Sequence, residues 1–122
     1  MANRLFQSIF VLVFLSVCQY AFAGYETGQE LLIDCTGAYK DSAESSAGPL
    51  YCLGYVDGIL DAHALLSSAH PEAKYFCAPD IGISAGVAMD ITTLYIQKNP
   101  EARSMPARIV VIKALQEKYP CK

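Results

Sequence analysis

Tryptophan is absent from this 122-residue chain, and histidine occurs only twice, at His63 and His70. No H-E-x-x-H or other metal-ligand spacing surrounds either histidine, so a histidine-built metal centre has no support. No C-x-x-C pair is present, which removes thioredoxin-like redox chemistry and zinc knuckles. No G-x-S-x-G elbow supports a hydrolase serine. Basic residues are outnumbered, 9 Lys and Arg against 12 Asp and Glu, for a formal charge of −3. A mildly acidic chain is a poor general nucleic-acid binder and suits a basic partner. Charged residues make up only 17% of the chain, yet no apolar run reaches the roughly 20 residues that span a bilayer. Repeats and low-complexity tracts are missing as well.

What is present is unevenly distributed. Seventeen of the first 23 residues are apolar, and four of the five phenylalanines lie there. Arg4 supplies a positive start, Ile9 to Val17 an apolar run, and Ala21-Phe22-Ala23 a small-residue cleavage site. Residues 1–23 therefore read as a secretory signal peptide cleaved after Ala23, with export through the Sec pathway to the periplasm. Two alternatives stay open: an uncleaved anchor, and a lipoprotein with Cys18 as the lipidated residue. The remainder, 24–122, has an ordinary globular share of apolar residues and a length suited to one small domain.

Four helices are expected in that domain. Thr27-Gly28-Gln29-Glu30 is a capping box, followed by Leu31, Leu32, Cys35, Ala38 and Tyr39 at helical spacing. Asp41 to Gly48 is a polar connection, and Pro49 opens a second helix running to about Ser67. Cys52, Val56, Ile59, Leu60, His63 and Leu66 share its inner face. Gly54 and Gly58 lie opposite, a candidate helix-contact surface within the domain or between two copies. Ser84 caps a third helix with Val87, Ile91, Leu94 and Tyr95 as its inward stripe, stopped at Asn99-Pro100. A fourth runs from near Pro106 to near Lys118. The fold class is thus all-α, a small disulfide-stapled bundle of four main helices.

After export, Cys35, Cys52, Cys77 and Cys121 remain, an even number that reads as two disulfides. Helices joined by short connections are antiparallel neighbours. Cys35 late in the first helix then sits beside Cys52 early in the second. Cys77 before the third meets Cys121 after the fourth. The expected pairs are Cys35–Cys52 and Cys77–Cys121, worth about 3 and 4 kcal/mol in the chain-entropy model.

Catalytic candidates reduce to Asp57, Asp61 and His63. Asp61 and His63 are two apart on a helix and point roughly 200° from each other. His63 falls on the apolar face and reads as a core or interface histidine. No catalytic residue, metal ligand or cofactor site is expected, and no enzyme activity.

The cysteine-centred motifs carry more. Gly28-Gln29-Glu30-Leu31-Leu32-Ile33-Asp34-Cys35 comes first. Cys52 through Gly54, Tyr55 and Gly58 to Asp61-Ala62 follows, then Phe76-Cys77-Ala78-Pro79, Tyr95 to Glu101, and Ala114-Leu115 with Tyr119-Pro120-Cys121. Their order and spacing resemble the Rap/Tai-type immunity proteins, small periplasmic proteins that protect bacteria from the peptidoglycan amidase effectors of type VI secretion. The resemblance covers about Gly24 to Cys121. It implies a helical homodimer that inhibits a cognate amidase effector by stoichiometric occlusion of its active site. Partner contacts are placed in the exposed stretches, at Glu44, His70, Glu72, Lys74 and Tyr75. A periplasmic acid-stress chaperone, or another small helical binding protein, is the alternative, and a small secreted enzyme using Asp57, Asp61 and His63 is the other class that stays open.

Overall fold

The structure is a computed structural model, described here for residues 27–38 and 47–122. Residues 1–26, Tyr39 and Glu44 lie outside the described residues. Among the described residues there are four helices: α1 (Gly28–Thr36), α2 (Gly48–Ala69), α3 (Ala85–Lys98) and α4 (Ala107–Lys118). Short 3-10 turns at Pro71–Ala73 and Pro100–Ser104 accompany them, and no strand occurs among the described residues. The domain is all-α, a small bundle.

Helix α1 begins on the capping box. Thr27 Oγ1 accepts from the Glu30 amide at 3.3 Å, and the Glu30 carboxylate accepts from the Thr27 amide at 3.2 Å. It ends at Gly37, which takes a left-handed φ of 63°. The Ala38 amide then bonds back to the Ile33 carbonyl at 3.1 Å. This stop comes earlier than the apolar spacing suggests, so Ala38 is exposed and outside the helix. A glycine adopts the left-handed conformation at no steric cost, and that overrides the continuing pattern.

The start of α1 is pressed against the turn before α4. The Gly28 amide donates to the Met105 carbonyl at 2.9 Å, beside an isolated bridge between Thr27 and Pro106. A Cβ on Gly28 would overlap the Ala102 carbonyl oxygen and come within 3.2 Å of Val110 Cγ2. Gly28 is therefore the glycine that close packing requires.

Helix α2 buries Cys52, Val56 and His63, with Ile59 and Leu60 half-buried beside them. Leu66, expected on the same face, is exposed. Nothing in the described chain lies within 4 Å of a Cβ built on Gly54 or Gly58. Of the two contacts left open there, within the domain or between copies, the described residues supply none, because these glycines face away from the core.

Helix α3 starts at Ser84, whose hydroxyl accepts from the Val87 amide at 3.3 Å. Its inward stripe differs from the one read in the sequence. Ala88, Thr92 and Ile96 are buried, whereas Val87 is 46% and Leu94 52% exposed. Ile91 and Tyr95 only flank the buried line. Small side chains let α3 pack against its neighbours, and the Thr92 hydroxyl needs no outside partner because it donates to its own helix at the Ala88 carbonyl, 2.8 Å away.

Helix α4 buries Ala107, Val110, Val111, Ala114 and Leu115. With Leu31, Cys52, Val56, Phe76, Ala88, Ile96 and Ala102 they form the core. Disulfides join Cys35 to Cys52 and Cys77 to Cys121. The second is reinforced by the Cys77 amide, which donates to the Tyr119 carbonyl at 2.9 Å. The chain end is thereby tied to the segment that leads into α3.

Candidate functional site

The segment between α2 and α3 gathers the surface features of interest. It leaves α2 at His70, whose amide still bonds to the Leu66 carbonyl at 2.7 Å. The 3-10 turn Pro71–Ala73 follows, then Lys74, Tyr75, the buried Phe76 and the bonded Cys77. Beyond it, the Gly82 amide donates to the Pro79 carbonyl at 2.8 Å, and Gly82 takes a φ of 79°. This turn lifts Ile81 to 96% exposure. The disulfide at Cys77 and the Ser84 cap hold its two ends.

His63 fixes the segment to α2. Its ring stacks on Phe76 with centroids 3.7 Å apart and planes 13° from parallel. Its Nε2 accepts a hydrogen bond from the Tyr75 amide at 3.2 Å. Ser67 Oγ lies 3.3 Å from the same nitrogen but spends its proton on the His63 carbonyl at 2.6 Å. Nε2 is thus the acceptor and Nδ1 carries the hydrogen of the neutral ring. Burial pushes the His63 pKa below its ordinary value, and the Lys74 charge adds to that shift.

The other expected contact residues are exposed. His70 and Glu72 pair with each other at 3.2 Å on the surface. Exposed pairs of this kind add little stability and leave both side chains available. Lys74 and Tyr75 are also exposed. Asp57, Asp61, His63 and Lys74 line one open groove of about 350 Å³ between α2 and the segment. The lone pair of His63 Nε2 is already engaged there by a backbone amide, so its placement is that of a structural acceptor. No group of three His, Cys, Asp or Glu residues suited to a metal ion occurs among the described residues.

On the other side of α2, a second groove of about 380 Å³ runs between α2 and α4. Gly58, Ala62, Leu66, Tyr75, Ile109 and Arg108 border it, and its lining is almost wholly apolar. Leu50, Tyr51 and Leu65 extend the exposed apolar surface along α2. Burial also raises the pKa of Tyr55 on that helix, with Arg108 opposing the shift. The described surface thus combines a disulfide-stapled scaffold, an exposed apolar turn at Ile81 and an exposed apolar face on α2.

A family model of Rap1a immunity proteins matches residues 27–121. The chain belongs to the Rap1a immunity protein family. No curated protein and no solved structure matches it. Membership makes it an immunity protein of a secreted effector, a family that is typically non-catalytic, and implies a cognate effector protein as its partner. No helix among the described residues is long and apolar enough to cross a membrane.

Sequence reading missed Ile81. The signal was available in Pro79-Asp80-Ile81-Gly82, a turn sequence carrying a β-branched apolar residue where polar ones are usual.

Proposed function

We propose that this Rap1a-family protein acts in the periplasm, after removal of residues 1–23. There it binds a peptidoglycan amidase effector of type VI secretion and occludes its active site without catalysing a reaction. The observation that carries this reading is the clamped turn at Ile81. An apolar residue held almost fully exposed on a turn fixed at both ends is a pre-organised anchor. Such an anchor fills a pocket with little ordering cost on binding. His70, Glu72, Lys74 and Tyr75 lie on the same connection, and Glu44, outside the described residues, is kept as a further contact. Without Arg4 the formal charge is −4, 8 Lys and Arg against 12 Asp and Glu, which favours capture of a basic enzyme.

The protein acts as a homodimer through the outer face of α2. Ala47, Tyr51, Gly54, Gly58, Ala62, Leu65 and Ala69 follow one another along that face at spacings of three and four. A helix apolar on the side away from its own core needs cover from elsewhere. The face is also close to palindromic about Gly58. An antiparallel copy on a twofold axis there sets Leu65 against Tyr51 and Ala62 against Gly54. Small residues meet at the crossing and large ones beyond it, as a self-complementary interface requires.

The test is protection of a cell. The product of the neighbouring gene is expressed in the periplasm of a sensitive strain, with and without this protein. Survival only in its presence supports the reading, and lysis in both cases counts against it.

A further inference from the structure

We propose that His63 is a proton-operated latch on the segment Pro71–Tyr75. With a neutral ring it holds the Tyr75 amide and keeps the segment docked on α2; with a protonated ring it lets the segment go. The proposal rests on the reading above only for its consequence, which is loss of effector contact at Tyr75 and its neighbours when the latch opens.

The geometry sets the two states. Only one bond in the described structure joins the segment's amides to the His63 ring, from the Tyr75 amide to Nε2 at 3.2 Å. A proton arriving from solvent takes that lone pair. Nε2 becomes a donor, and two N–H groups then face each other where one donated before. Ser67 Oγ, 3.3 Å from Nε2, has free lone pairs because its own proton is committed to the His63 carbonyl. It accepts the new Nε2–H. The proton has a place in the structure, and the Tyr75 amide has lost its own.

The opening stays local. Phe76 stacks on the ring and tolerates a cation against its face, so the imidazolium keeps this contact. Cys77 is held by its disulfide and by the Tyr119 carbonyl. At the other end, the His70 amide is bound to α2. Residues 71–75 therefore move between two fixed points while the core remains packed.

Charges on every neighbouring element bear on the switch. Lys74 on the segment and Arg108 on α4 oppose protonation. Asp57 and Asp61, which share the groove with His63 on α2, favour it. Burial and Lys74 prevail, so the docked state is that of neutral pH. Two open grooves reach the ring, which gives the proton its route.

The experiment is an NMR titration of the full folded chain, following the His63 ring nitrogens together with amide exchange at Tyr75, Val110 and Val111. Protection at Tyr75 should fall by roughly fivefold to tenfold as His63 titrates, the equivalent of one lost hydrogen bond. Val110 and Val111 should keep theirs. In Ser67→Ala the protonated ring loses its acceptor, so the His63 midpoint should drop and the Tyr75 step should move with it. Protection at Tyr75 that stays flat through the titration, or is lost only together with the core amides, overturns the latch. So does a Tyr75 step that ignores the shifted midpoint. A Tyr75 step with unchanged effector affinity upholds the latch and removes the segment from the binding surface.

Discussion

Alanine at Gly28 and alanine at Gly54 or Gly58 should have opposite effects on stability. All three glycines are helical, so propensity alone favours alanine by up to about 1 kcal/mol in each case. At Gly54 and Gly58 nothing lies within 4 Å of the new methyl, and the gain should be realised nearly in full in the monomer. At Gly28 the methyl meets the Ala102 carbonyl oxygen, a backbone atom that no side-chain rotation can move, with Val110 3.2 Å away. Overpacking of this kind costs about 1–3 kcal/mol. Displacing α1 to relieve it stretches the Gly28 to Met105 hydrogen bond, worth about 1 kcal/mol more. The first turn of a helix gains little from propensity, so the net loss should be at least about 2 kcal/mol. In a domain of this size that lowers Tm by roughly 10 °C. Urea denaturation at low protein concentration, where a dimer contributes least, is the assay. A Gly28→Ala protein as stable as Gly54→Ala would refute the close approach of α1 to the 100–104 turn.

Other outcomes follow from the same structure. Removing the Cys77–Cys121 bond should cost about 4 kcal/mol and removing Cys35–Cys52 about 3, and a non-reducing peptide map showing a Cys52–Cys77 peptide would overturn both pairings. The depressed pKa of His63 fixes a sign: stability from this group is complete above its ordinary value of 6.5 and falls as the pH drops below it through the folded-state pKa. The unfolded chain binds the proton first. Denaturation across that range should show the fall in the wild type and a smaller one in His63→Gln. Ile81→Asp should weaken effector binding by at least about 30-fold, the 2 kcal/mol of a hot-spot anchor, with no change in Tm.

Much of the fold was legible because its signals are local. The Thr27–Glu30 box, Pro49, Ser84 and Pro100 each satisfy or deny particular backbone groups, so helix ends can be read within a few residues. Packing direction was harder. Val87 and Leu94 look like core by size, but α3 carries apolar residues around much of its circumference, and the close neighbours admit Ala88 and Thr92 instead. Gly28 against Gly54 and Gly58 shows the same limit: which glycine meets another backbone is a tertiary fact. At the surface, charged and polar loop residues drew attention to His70, Glu72 and Lys74. The clamped Ile81 depends on a disulfide, a turn and a cap acting together, and no single motif reports that.

Stoichiometric inhibition by binding is the proposed activity of the protein. It is tested most directly by titrating the purified protein into the purified product of the neighbouring gene while following peptidoglycan hydrolysis. Hydrolysis should fall linearly to zero at one binding site per enzyme, and Ile81→Asp should lose most of that effect. Undiminished hydrolysis at a large excess of the wild-type protein, with no heat of binding by calorimetry, would rule out inhibition by binding.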